Sequence, residues 1–227
     1  MSAVKNNLPF EAVIFDMDGV IINSEPLWSK AENIMFSKLG VNLTDDLRNL
    51  TKSMTTTEAT KFWYEKYPWE NLNLEDVENE VINYVCILIE EEALEIKGVK
   101  KLLQDIKDKG LKIGLATNSP HKVIQTVLSK LDIAHFFDVI SSANDEPKGK
   151  PDPSVYLTTA KKLNVNPVAC LVFEDSYSGV LSAKNANMTV VGFADEANKE
   201  NLENADFTIE SFASFDLSAV IVKKDVN

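Results

Sequence analysis

Asp16 and Asp18 stand two positions apart, directly after four apolar residues, in the stretch AVIFDMDGVIINSEPLW at 12–28. Two carboxylates this close repel one another, by about 4 kcal/mol for unit charges 4 Å apart at a protein-surface dielectric. Such crowding is useful where an anion must be handled with a cation's help. Three further clusters sit just past other apolar runs: Thr117-Asn118-Ser119, Lys150, and Glu174-Asp175. Singly, each has an ordinary structural reading, since Asp, Ser and Thr after a strand commonly cap a helix or close a turn. Together they describe one chemistry. Converging carboxylates need a cation, and all-oxygen ligands favour Mg²⁺. A hydroxyl and backbone N–H groups at a helix N-terminus, beside a lysine, suit the non-bridging oxygens of a phosphate. The combination points to phosphoryl transfer, in which the protein positions groups and neutralises charge. In this reading Mg²⁺, held by Asp16, Asp175 and the main-chain carbonyl of Asp18, removes the repulsion between Asp16 and a phosphate. Asp16 is then the nucleophile. Asp18 is the acid that protonates the leaving alkoxide and the base that activates the hydrolytic water.

These clusters meet only if the chain places the ends of several strands on one rim. Short continuous apolar runs predict strands at 12–15, 112–116, 139–142, 170–173 and 189–192, with a weaker one at 207–209. Helical spacing from Val99 to Lys109 is closed by Gly110. Ser119-Pro120 and Asp152-Pro153 each read as a helix cap followed by proline at the first helical position. The alternation predicts an α/β fold with a doubly wound parallel sheet, whose ligands bind beyond the carboxyl ends of its strands.

Residues 24–96 interrupt that rhythm with helical patterns alone. One runs from Pro26 to Leu39 before Gly40, one starts at the capping-box spacing Thr55-Thr56-Thr57-Glu58 and ends before Pro68, and one spans Leu74 to Glu92. The expected organisation is a core domain of residues 1–23 and 97–227 with a small α-helical cap domain, 24–96, inserted as a lid. The terminal KKDVN is expected to be a frayed tail.

Composition narrows the functional classes. The chain has 227 residues, 44% hydrophobic and 26% charged, with a formal net charge of −12. That surface repels nucleic acid and anionic lipid, so the expected partner is a small molecule. No apolar run approaches the roughly 20 residues of a membrane helix, and no secretory signal is visible at the N-terminus. The two cysteines, Cys86 and Cys170, lie far apart in apolar segments and read as buried free thiols of a cytoplasmic protein.

The four motifs, DMDGV, LATNS, KPDP and FEDS, resemble in order and placement those of the haloacid dehalogenase superfamily, and the resemblance covers essentially the whole chain. The helical insert is similar to the cap of its β-phosphoglucomutase-like subgroup. SEPLW and FWYEKYPW resemble bacterial phosphatases of 2-deoxyglucose 6-phosphate and hexitol phosphates. The resemblance implies Asp16 as nucleophile, Asp18 as acid/base, Thr117 and Asn118 as phosphate binders, Lys150 as cationic anchor, and Glu174 with Asp175 as the metal pair. It further implies Mg²⁺ as cofactor, a phosphorylated sugar or sugar alcohol as substrate, and a monomer.

Three positions depart from the subgroup. Trp28 stands where a histidine is usual in phosphomutases, and Thr55 falls about where a cap arginine grips the second phosphate. Asn23 replaces a frequent Asp and reads as a turn change. A mutase needs that second anchor and a phosphatase does not, so hydrolysis is favoured and a β-phosphoglucomutase activity is the alternative. A dehalogenase is disfavoured by Asp18, since carbon–halogen cleavage needs no proton donor. A signalling receiver module is about half this length and lacks the insert. Trp28 and Thr55 are taken as substrate contacts, with Lys52 as a further cap residue able to close over the rim. Trp63, Tyr64, Tyr67 and Trp69 are either a sugar-stacking face or, more simply, the packing of the cap. His121 is read as a surface residue and the run Glu90–Glu92 as a solvated helix end.

Overall fold

The computed structural model describes residues 9–194, 202–217 and 220, so the expected frayed tail lies outside the described residues. Six strands follow the predicted runs closely: β1 (Ala12–Phe15), β2 (Lys112–Thr117), β3 (Val139–Ser142), β4 (Cys170–Glu174), β5 (Thr189–Phe193) and β6 (Phe207–Ile209). They form one sheet of order β3-β2-β1-β4-β5-β6 in which every neighbouring pair is parallel. Side chains alternate across β1. Val13 and Phe15 join the larger apolar cluster on one face, and Ala12 and Ile14 the smaller one on the other. Burial on both faces explains why these strands read as unbroken apolar runs rather than alternating ones.

Eight α-helices accompany the strands among the described residues: α1 (Glu25–Lys38), α2 (Asp45–Arg48), α3 (Thr56–Lys66), α4 (Leu74–Glu92), α5 (Val99–Asp108), α6 (His121–Leu131), α7 (Ser154–Leu163) and α8 (Tyr177–Asn185). The first four lie in the inserted helical cap between β1 and β2. Both crossings into it run side by side, Ile22 bridging Glu95 and the Ile96 N–H donating to the Ile21 carbonyl at 2.9 Å. The α3 start forms a full capping box, with Thr55 and Glu58 each serving the other's backbone N–H.

The cap has its own aromatic core. Trp63 is fully buried and Phe36 lies 6.5 Å from it and 6.0 Å from Trp69, centroid to centroid. Of the two readings of the cap aromatics, packing therefore holds for Trp63 and Trp69, while Tyr64 and Tyr67 keep surface exposure. Cys86 and Cys170 are buried free thiols. His121 pairs with Asp145 in the open, and Glu92 pairs with Lys30 at the exposed end of α4. No helix among the described residues is long and apolar enough to cross a membrane.

Two helix starts differ from expectation. α6 and α7 begin after Pro120 and Pro153, which occupy the cap position rather than the first turn. Asp152 still caps α7, accepting from the Ser154 N–H at 2.9 Å. Ser119 does not cap α6, because its hydroxyl is committed elsewhere.

Candidate active site

Register alone gathers the first group. Phe15 pairs with Leu115 on one side and Phe173 on the other, so the next positions, Asp16, Ala116 and Glu174, stand abreast at the carboxyl ends of β1, β2 and β4. The Asp16 N–H donates to the Phe173 carbonyl at 3.0 Å, carrying the pairing one residue past the strand. Lys150 arrives from the loop after β3. Its ammonium donates to Asp16 Oδ1 at 2.6 Å, Glu174 Oε1 at 2.7 Å and the Ala116 carbonyl at 2.9 Å. It lies 3.1 Å from the Tyr156 hydroxyl, which itself donates to Glu174 Oε1 at 2.7 Å. The whole set is buried. Burial alone would lower the Lys150 pKa, but Asp16 and Glu174 more than offset it and hold the amine charged.

Asp16, Glu174 and Asp175 each bring a carboxylate oxygen within 4.8 Å of the others. Burial, and then the neighbouring carboxylates against the pull of Lys150, push Asp16 up to about 8. Burial, Glu174 and Asp16 push Asp175 well above the usual carboxylate range. Three carboxyl groups share one ammonium, so the cluster lacks positive charge. An oxygen-ligated divalent cation fits such a donor set.

Two glycines let the carboxylates sit where they do. A Cβ on Gly19 would lie 2.0 Å from Asp175 Oδ2, and one on Gly179 would lie 1.8 Å from Glu174 Oε1. Gly19 also has φ +77°, which an L side chain rarely adopts. Gly19→Ala is expected to displace Asp175 and weaken Mg²⁺ activation by on the order of 10-fold, a loss comparable to one misplaced ligand contact. An Mg²⁺ titration of turnover checks this.

Asp18 faces the cap. Its Oδ1 accepts from the Ser24 hydroxyl and, at 3.1 Å, from the Trp28 indole N–H. Its Oδ2 accepts from the Ser119 hydroxyl at 2.6 Å and the Thr117 hydroxyl at 3.3 Å. Trp28, expected against substrate, thus touches the expected acid/base directly. Thr117 is buried at the same spot and also accepts from the Ser119 N–H at 3.1 Å. Asn118, expected as a phosphate binder, has both ends of its carboxamide engaged. It accepts from the Lys150 N–H at 2.9 Å and donates to the Ser53 carbonyl of the cap at 3.1 Å, so here it ties rim to cap. Thr55 reaches the same rim, its methyl 2.7 Å from where a Gly149 Cβ would be.

Three contributors lie outside the predicted set. Tyr156 was signalled by its place on the apolar face Val155-Tyr156-Ala160-Leu163, which packs α7 on the sheet. Ser119 reads in the sequence as the cap of the helix after β2, without a part in the catalytic set. Ser24 had no signal beyond its position at the crossing into the cap.

The family model for haloacid dehalogenase-like hydrolases matches residues 13–193. Hexitol phosphatase B of Escherichia coli K12 is 37% identical over 192 residues, covering 83% of this chain and 86% of that protein. A phosphorylated carbohydrates phosphatase of Thermotoga maritima is 35% identical, covering 78% and 82% respectively. The crystal structure of beta-phosphoglucomutase from Clostridium difficile superposes with a TM-score of 0.84 at 29% identity, covering 96% of this chain and all of that one. With a match spanning all four motif strands and a sheet that delivers their ends to one rim, the chain belongs to the haloacid dehalogenase-like hydrolase family.

Proposed function

We propose that this protein is an Mg²⁺-dependent phosphatase of small phosphorylated sugars or sugar alcohols, working through an aspartyl-phosphate on Asp16. The phosphatase activity itself is that of its named relatives and its hydrolase family. The observation that carries the mechanism is the meeting of Asp16, Lys150, Glu174 and Asp175 from two separate strand ends and one loop. Asp16, Asp175 and the main-chain carbonyl of Asp18 would hold Mg²⁺, with Glu174 beside them, and the ion would supply the positive charge that lets a carboxylate approach a phosphate.

The chain's own groups carry the steps. An Asp16 carboxylate oxygen bonds to phosphorus while the ester P–O bond breaks. Asp18 delivers its proton to the departing oxygen, releasing the free alcohol. Asp18 then takes a proton from water as that water attacks phosphorus, and the Asp16 carboxylate leaves. Lys150 fixes the Asp16 oxygen and screens charge on the phosphoryl group. Thr117 and backbone N–H groups at the start of the 117–119 loop bind its non-bridging oxygens.

Sugars and sugar alcohols are preferred as substrates because a hexitol phosphatase and a phosphorylated carbohydrates phosphatase are 37% and 35% identical to this chain over the aligned residues. A beta-phosphoglucomutase reading is favoured by the superposition with that enzyme. It lacks a second phosphate anchor at Thr55, whose N–H and hydroxyl are both spent on Glu58. A screen of phosphate release over hexose, deoxyhexose, pentose and hexitol phosphates decides. Net phosphate release with Mg²⁺, abolished by EDTA and restored on adding Mg²⁺ back, is expected. Interconversion of hexose 1- and 6-phosphates without net release, on adding a hexose 1,6-bisphosphate, would establish the mutase instead.

A further inference from the structure

Trp28 and Glu32 lie four residues apart on α1, one above the other on the same side of the helix. Trp28 touches Asp18, and Glu32 stands about 6 Å farther along the helix axis. α1 meets α4 on a different side, through Lys30 paired with Glu92 and Lys38 bonded to the Tyr84 hydroxyl at 2.6 Å. The Trp28–Glu32 side faces the 48–55 segment instead. Lys52 reaches Glu25 at 2.7 Å, the Arg48 charge acts on Glu32, and Ser53 is tied down to Asn118 of the rim. Glu32 therefore stands between α1 and the loop that seats the cap on the core.

Its carboxylate is partly buried, and among the described residues no hydrogen bond reaches it. Burial, against the opposing pull of Arg48, pushes it up to about 7. A carboxyl group kept in such a place without a hydrogen-bond donor has a cost that the Arg48 charge offsets only in part.

We propose that Glu32 is a specificity-determining residue, accepting hydrogen bonds from the hydroxyl groups of a polyol leaving group stacked past Trp28. The axial separation of about 6 Å matches the reach from an ester oxygen to a hydroxyl three or four carbons along. A polyol of that length offers donors there, and an aryl or short alkyl phosphate offers none. This rests on the phosphatase reading and names what its substrate must carry. A site built around a hydroxyl discriminates strongly against molecules lacking it, because its own acceptor is then left unpaired.

The test compares kcat/KM for sorbitol 6-phosphate and p-nitrophenyl phosphate in the wild-type chain, Glu32→Gln and Glu32→Ala. The ratio of the two is expected to fall about 10- to 100-fold in Glu32→Ala and less in Glu32→Gln, which keeps a neutral acceptor. Turnover of the aryl phosphate reports that each variant is folded. A ratio within twofold of wild type, including one in which both substrates lose equally, overturns the assignment. If the wild-type chain itself shows no preference for polyol phosphates over the aryl ester, the substrate reading falls and Glu32 with it. If that preference is present and survives in Glu32→Ala, only the role of Glu32 falls.

Discussion

Asp16→Asn is expected to lose turnover by at least about 10⁴-fold on every phosphate ester tried, since removing a covalent nucleophile leaves only binding and electrostatic contributions. The substitution is isosteric and keeps the Lys150 donor supplied with an oxygen, so circular dichroism and thermal midpoint should stay close to wild type. Acid quenching of the wild-type enzyme during turnover of a ³²P-labelled ester should trap label on the protein, and Asp16→Asn should trap none. Wild-type turnover in Asp16→Asn would show that another group attacks phosphorus. The prediction is strong because no other carboxylate stands at the end of β1 with a lysine donating to it at 2.6 Å.

Lys150→Met has the second large effect, and it falls on stability as well as rate. The ammonium is buried and satisfies Asp16, Glu174 and the Ala116 carbonyl at once. Removing one partner of such a pair leaves uncompensated buried charge and costs about 3–5 kcal/mol, although methionine fills most of the volume. Urea unfolding in the presence of EDTA measures it, alongside a turnover loss of at least about 10³-fold. The pH dependence has a definite sign. Asp16 rises from an ordinary carboxylate value to about 8 on folding even with Lys150 present. In metal-free protein that group's contribution to stability is complete below about pH 4 and is lost as pH climbs through 8. Without Lys150 the main influence lowering the Asp16 pKa is gone. The deficit of the variant relative to wild type should therefore widen between about pH 7 and pH 9, where wild-type Asp16 ionises and that of the variant stays protonated. A deficit that narrows over that range would contradict the charge assignment.

Part of this site was legible in the order of residues. Runs of three to five residues, broken by Gly, Pro and short helical patterns, place six strands within a residue or two of their observed limits. They do so because strands buried on both faces admit no polar interruption. Once the strands are parallel, their carboxyl ends must share an edge, and Asp16, Thr117 and Glu174 follow as residues at those ends. What sequence spacing left open are the directions of side chains leaving that edge. Ser119 looked like a helix cap and instead bonds Asp18, because Pro120 holds the cap position of α6 and leaves the hydroxyl pointing across the rim. The side chain of Asn118, expected as a phosphate ligand, accepts from the Lys150 N–H and donates to the carbonyl of Ser53, 65 positions away, a link that spacing does not reveal. Tyr156 belonged by spacing to a packing face, yet its hydroxyl is the part of that face that meets the charged cluster.

By itself, then, the sequence determined the strands, the helical insert and the acidic and hydroxyl-bearing motifs, since period, punctuation and residue type are local properties that need no partner. Only the tertiary structure decided that the three carboxyl groups share one buried ammonium, that Asp18 is held by Ser24, Trp28, Thr117 and Ser119, and that Glu32 stands unbonded in the cap. Those are consequences of which atoms approach across the fold, and approach distances of 3 Å are set by sheet register and cap closure rather than by separation along the chain.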